Sequence, residues 1–159
     1  NLYKSFRNNL MRRNFMGYSD LPNDNIIALG VSSVSALGQG LCQNTSNADE
    51  YKKLILSGVL PVVRGIKYVG EDNLRSEVIS QLMCYFEVNL EDLLFKHNYP
   101  ETHFDDVLQS LSEFADAGII SINKRNIKFH SELRMLIRTV CMAFDQYAIT
   151  KEKRYSKIA

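Results

Sequence analysis

Apolar positions along the chain follow two different rules. Near the start, "NFMGY" (residues 14–18) and "IIALGVSSVSAL" (residues 26–37) are apolar without alternation. That pattern predicts strands covered on both faces, as in the parallel sheet of an α/β fold. Gly17, Gly30, Gly38 and Gly40 punctuate them, and "DLPNDN" between them carries the residues of a loop. Before them, Leu2, Tyr3, Phe6 and Leu10 have helical spacing. From the polar stretch "CQNTSNADEY" onward the period becomes helical, which places a domain boundary between residues 46 and 47. Tyr51 to Leu56 predicts a short helix stopped at Gly58. "GVLPVVRGIKY" predicts an extended connector, because Pro61 disfavours helix for the residue before it.

The remaining elements follow in order. Leu74, Val78, Leu82 and Phe86 form one helical stripe in "EDNLRSEVISQLMCYFE", with acids at its start where the helix dipole favours them. A second helix begins near Asn89. A third begins near Thr102, with Phe104, Val107, Leu108, Leu111 and Phe114 inward and Gly118 as its terminating glycine. "IISINKRNIKFH" predicts a hairpin. Ser131 is expected to cap a last helix whose Leu133, Leu136, Ile137, Val140, Cys141, Phe144 and Tyr147 face inward. Three helices, a hairpin wing over Ile119 to Phe129 and a further helix make a winged-helix-like unit. Its third helix carries Asp105, Asp106, Glu113 and Asp116 with no Lys or Arg between Phe104 and Gly118, a face that repels phosphate. Nucleic acid is therefore not the expected partner.

Charge changes this picture little. The 159 residues carry 19 Lys and Arg against 18 Asp and Glu, so no global field selects a polyanion. No apolar run reaches the roughly 20 residues of a membrane helix, and the start lacks a signal peptide, which points to a cytoplasmic protein. The chain opens on Asn1 and reads as a fragment. Cys42, Cys84 and Cys141 are too widely spaced for a metal motif, and Cys84 and Cys141 lie among apolar residues as core cysteines do. His97, His103 and His130 have no ligand spacing, and the first two are expected to be solvated loop residues. There is no phosphate loop, dinucleotide fingerprint or nucleophile elbow. The Gly- and Ser-rich "GVSSVSALG" either leaves room for a ligand at a strand end or permits close packing, and the residues alone leave both open.

"RNFMGYS", "LGVSSVSALG" with "QN", "LPVVRG", "LRSEVISQLMC" and "LIRTVCMAFDQY" resemble, in order and spacing, the carboxy-terminal part of the oxygen-independent coproporphyrinogen III oxidase family. The resemblance runs from about Arg12 into the "RYSKI" tail. It implies radical S-adenosylmethionine enzymes of haem biosynthesis, in which a barrel holds a [4Fe–4S] cluster on a Cys-x-x-x-Cys-x-x-Cys motif. A propionate of coproporphyrinogen III loses hydrogen and carbon dioxide to become a vinyl group, and two rounds give protoporphyrinogen IX. A smaller helical domain follows the barrel.

The fold class so implied is α+β and mainly helical. Residues 1–46 are the terminal strands of a radical-SAM α/β barrel, and residues 47–159 are a helical winged-helix-like domain. This sequence lacks the cluster motif, so the chain alone is expected to be inactive and to depend on the missing amino-terminal barrel. Cut strand edges predict self-association through residues 10–40. By the same resemblance Val34 and Phe15 contact a second S-adenosylmethionine that lies beside the first, and Met16 stands where the family has a glutamine, so a polar amide contact to that second cofactor is lost. Arg64, Arg75, Arg134 and Arg138 match family arginines. They bind substrate propionates or else pair internally with Asp72, Glu77 or Asp145. Two rival readings are a sister family of radical S-adenosylmethionine haem chaperones, whose motif contains a Trp this chain lacks, and a non-enzymatic winged-helix interaction module.

Overall fold

A computed structural model describes residues 1–14, 17–20 and 25–148. The chain divides into two compact units, Asn1–Asp72 and Asn73–Ala159. The boundary expected between residues 46 and 47 lies inside the first of them. Phe15, Met16 and the basic tail fall outside the described residues.

In the first unit, helix α1 (Leu2–Arg7) starts at Asn1, whose side chain accepts from the Tyr3 N–H. Strands β1 (Arg12–Asn14) and β2 (Gly17–Ser19) pair antiparallel. Strands β3 (Val34–Leu37), β4 (Gly40–Asn44) and β5 (Val62–Lys67) form an antiparallel sheet in that order. Helix α2 (Ala48–Leu56) links β4 to β5, capped by the Asn47 side chain, which accepts from the Glu50 N–H. Among the described residues, then, these strands are not paired in parallel as their apolar runs predict.

Residues 26–37 are likewise not one strand. Ile26 makes only an isolated antiparallel bridge to Ala36, and Gly30 (φ 106°) and Ser32 (φ 59°) turn the chain through left-handed backbone before β3 begins. The connector expected at Pro61 is a strand because β4 supplies its hydrogen-bonding partner. Two glycines allow that approach: a Cβ at Gly40 would lie 2.0 Å from the Ile66 carbonyl oxygen, and one at Gly65 would lie 2.8 Å from that of Leu41. The sheet buries little apolar surface. Met11 is the one buried large apolar residue among those described in this unit, whereas Ile27, Leu29 and Leu60 are 80%, 85% and 80% exposed.

The second unit has a conventional core. In helix α3 (Asp72–Tyr85) the expected stripe holds, with Leu74, Val78 and Leu82 fully buried and Phe86 half-buried. Strand β6 (Glu87–Asn89) was not foreseen. Asn89 ends it and also caps helix α4 (Leu90–Lys96) by accepting from the Glu91 N–H. The expected third helix is a 3-10 turn over Glu101–Phe104 followed by α5 (Asp105–Ser110) and α6 (Ser112–Asp116), interrupted at Leu111. Gly118 (φ 68°) ends α6, and the Ile119 N–H reaches back to the Phe114 carbonyl at 2.9 Å.

Strands β7 (Ile120–Asn123) and β8 (Asn126–Phe129) form the expected hairpin, and β8 is the centre of the sheet order β6-β8-β7. The last helix differs from expectation. Its N-cap position is His130, with no capping side-chain bond, and a 3-10 segment Ser131–Leu136 bent at Leu133 precedes α7 (Ile137–Met142). The bend turns Leu136 outward, while Ile137, Val140, Cys141 and Phe144 remain buried and Tyr147 is exposed. Phe104 and Phe144 meet edge to face at 5.4 Å between ring centroids at the heart of this core. Cys84 and Cys141 are buried and unbridged, as their apolar neighbours predict.

His97 and His103 are more engaged than loop residues in water. His103 lies between the Tyr99 and Phe104 rings. His97 Nε2 is 2.8 Å from Glu77 Oε2, and Lys96 Nζ donates to Glu77 Oε1 at 2.6 Å, which ties the end of α4 to α3. Burial pushes the Glu77 pKa up, but the hydrogen bonds and charges of Lys96 and His97 outweigh it and hold the carboxyl below the usual glutamate range.

Two predictions follow from this architecture. Because the folded pKa of Glu77 lies below the unfolded one, its stabilisation is complete above the ordinary glutamate range and is lost as pH falls through the folded value. Glu77→Gln is therefore expected to flatten the stability curve measured by denaturant melts between about pH 3 and 5. Gly40→Ala is expected to cost about 1–3 kcal/mol in the same melts, more than Gly65→Ala, since its Cβ meets fixed backbone at shorter range from left-handed backbone.

Candidate functional site

The residue singled out for cofactor contact, Val34, opens β3 and is half-buried. Its placement depends on the loop before it. The buried Asn44 side chain donates from Nδ2 to the carbonyls of Gly30 (2.9 Å) and Ala28 (3.3 Å). The Asn44 N–H donates to the Ser33 carbonyl at 3.0 Å, and the Ser32 N–H donates to the Thr45 carbonyl at 2.9 Å. Ser35 Oγ accepts from the Ala28 N–H at 3.0 Å, and the Tyr51 hydroxyl accepts from the Gly30 N–H at 2.9 Å. A segment with two left-handed residues is thus held in one shape by polar groups whose burial obliges them to find partners.

Opposite Val34 stands Gln43, and opposite Gln43 stands Arg64. Directly opposed residues in antiparallel strands project from the same face, so the three form a row across the sheet. Gln43 Nε2 donates to the Ser32 carbonyl at 2.8 Å, and Arg64 Nε donates to Gln43 Oε1 at 2.7 Å. The next row along is apolar, with Leu41 opposed to Ala36 and to Ile66. The face therefore joins an apolar floor to a cationic edge.

The other matched arginines behave differently. Arg75 lies 5.2 Å from the Phe104 ring centroid and donates to the Phe144 carbonyl at 3.2 Å. Arg134 lies 4.5 Å from the Phe86 centroid, and Arg138 is exposed on α7. Of the acids expected to pair with them, Glu77 binds Lys96 and His97, Asp72 accepts from the Val69 N–H, and Asp145 accepts from the Tyr147 N–H.

Phe15 and Met16, the other two residues singled out for cofactor contact, lie outside the described residues. Gln43, Asn44 and Tyr51 were missed as site residues because they sit in a polar stretch that reads as a linker. The one signal for Gln43 and Asn44 is the "QN" of the resembling motif.

Among the described residues no group of three His, Cys, Asp or Glu is arranged to hold a metal ion. The sequence contains no Cys-x-x-x-Cys-x-x-Cys, so this chain does not fit the [4Fe–4S] cluster as its protein ligand. No described helix is long and apolar enough to cross a membrane.

No family model matches the chain. Curated relatives do. Oxygen-independent coproporphyrinogen III oxidase of Pseudomonas aeruginosa is 32% identical over 150 residues, 93% of this chain and 33% of the relative. That of Helicobacter pylori is 33% identical over 157 residues, 98% of this chain and 34% of the relative. The solved structure of coproporphyrinogen III oxidase from Escherichia coli, described as a radical SAM enzyme, superposes with a TM-score of 0.85 at 27% identity, covering 92% of this chain and 34% of that one. The chain spans about a third of the length of the curated relatives it matches. Over that third, it is related in sequence and in fold to the oxygen-independent coproporphyrinogen III oxidases.

Proposed function

We propose that the chain is the carboxy-terminal part of an anaerobic haem-biosynthesis enzyme, an oxidoreductase that decarboxylates coproporphyrinogen III to protoporphyrinogen IX. The observation that carries the reading is the match of nearly the whole chain, in sequence and in fold, to one third of such enzymes. Residues 1–46 supply the edge of the catalytic barrel, and residues 47–159 form a winged-helix-like domain. The exposure of Ile27 and Leu29 supports the first assignment, since strands with so little buried apolar surface lack their cover. The order helix, strand, helix, helix, hairpin from α3 to β8 supports the second.

S-adenosylmethionine, when bound, supplies the hydrogen-abstracting radical. This chain's part is to bind and orient a second S-adenosylmethionine beside the first. Val34 offers a half-buried apolar contact from a strand whose entry loop is fixed, and by resemblance Phe15 adds an aromatic contact from the preceding motif, where Met16 replaces the family's glutamine and its amide contact is lost. The apolar contact of Val34 and the neighbouring polar edge at Gln43 suit a ligand with an apolar body and charged ends. The [4Fe–4S] cluster belongs to the part of the enzyme that this chain lacks.

The test is made on the full-length protein, purified without oxygen and given coproporphyrinogen III, S-adenosylmethionine and a reductant. Protoporphyrinogen, followed by chromatography, is expected from the full chain and not from residues 1–159 alone. Val34→Asp is expected to lower S-adenosylmethionine affinity at least about tenfold, the cost of placing a charge where an apolar contact stood. A cluster-loaded protein that forms no product yet binds haem would replace this reading with that of a haem chaperone. Alone, the 159-residue chain is expected to self-associate in light scattering, and a monomer at high concentration would contradict the uncovered barrel edge.

A further inference from the structure

Four of the described arginines are engaged by their surroundings. Arg125 binds Asp105 at 2.6 Å, Arg75 holds the Phe144 carbonyl, and Arg13 and Arg134 lie on the rings of Tyr18 and Phe86. Arg64 is exposed and, among the described residues, is held instead by a neutral amide, through its Nε. None of β3, β4 and β5 carries an Asp or Glu, so the strands beside it provide no structural counter-ion.

The hold on Arg64 is itself braced. Gln43 cannot swing freely, because its Nε2 is committed to the Ser32 carbonyl, in the loop that Asn44 straps down. With Nε occupied, the two terminal amino groups of the guanidinium remain to meet a carboxylate end-on, in a plane set by the latch. In the same row, two strands away, is Val34, and the adjoining row of Ala36, Leu41 and Ile66 provides apolar surface. A long side chain that would otherwise lose much rotamer freedom on binding has part of that loss already met in the free protein.

We propose that Arg64, oriented by the Ser32–Gln43 relay, is the carboxylate-binding residue of the ligand face that begins at Val34. The proposal rests on the function proposed above and assigns one of its recognition contacts. The shared chemistry is a carboxylate on an apolar-bodied ligand: either the aminoacyl carboxylate of S-adenosylmethionine or a propionate of the tetrapyrrole.

Equilibrium binding to the full-length, cluster-loaded protein separates these sources. The probes are S-adenosylmethionine and its decarboxylated analogue, and coproporphyrin III and its tetra-amide, with wild type compared with Arg64→Gln, Arg64→Lys and Gln43→Met. Loss of a charge-assisted bidentate contact is expected to weaken one carboxylate ligand about ten- to hundredfold in Arg64→Gln and to leave its carboxylate-free counterpart unchanged. Arg64→Lys, which keeps the charge but not the fork, is expected to fall between, and Gln43→Met to weaken the same ligand by a few-fold. Selective loss for S-adenosylmethionine assigns its aminoacyl carboxylate, and selective loss for coproporphyrin III assigns a propionate. Wild-type affinity of folded Arg64→Gln for all four probes, or, where that variant does not fold, of folded Arg64→Lys and Gln43→Met, overturns the proposal while leaving the proposed function standing. A wild-type protein that binds neither carboxylate ligand overturns both.

Discussion

The buried amide of Asn44 is the interaction on which the first unit depends. A side-chain amide shielded from water costs free energy unless its donors are used, and this one uses both on the Ala28 and Gly30 carbonyls. Those bonds fold the chain back against the end of β4 and absorb the two left-handed residues that follow. The register between β4 and β5 shifts between Gln43 and Asn44. Such an irregularity lets neighbouring residues of one strand serve different ends. Asn44 faces the loop, while Gln43 stays in the row with Val34 and Arg64. The loop, the start of β3 and the cationic edge are thus set by two adjacent amides.

Where local pattern and final environment agree, the sequence is readable. The α3 stripe is buried as its spacing requires, Asn89 caps α4, and Gly118 ends α6. The hairpin around "NKRN" is equally local. Strands β4 and β5 were not readable, because "GLCQN" has no strong strand propensity and Pro61 suggests only an extended chain. What makes them strands is a partner some twenty residues away and two glycines that permit close contact. The left-handed geometry at Gly30 and Ser32 breaks an apolar run that looks continuous in letters.

The site divides the same way. Val34 is identifiable only through resemblance, since an apolar residue at the start of a strand carries no chemical signature. Gln43 and Asn44 are polar residues in a polar stretch, and the reading of that stretch as a linker follows from composition alone. The burial of Asn44 and the bond of Gln43 to Ser32 emerge only when residues 28–33 fold over them. Arg64 differs from Arg75 in its company rather than its neighbours in sequence, and company is a tertiary property.

The break at Leu111 and the bend at Leu133 leave the second unit with short helices: six residues in α5, five in α6 and six in α7. Isolated helices below about 12–15 residues are marginal in water because the nucleation cost is spread over too few bonds. None of these three is a self-sufficient segment; each is helical because Phe104, Leu111, Val140 and Phe144 are buried together. Secondary structure here is a product of the core and not its precursor, which makes cooperativity, rather than helix propensity, the quantity that keeps this half of the chain in one piece.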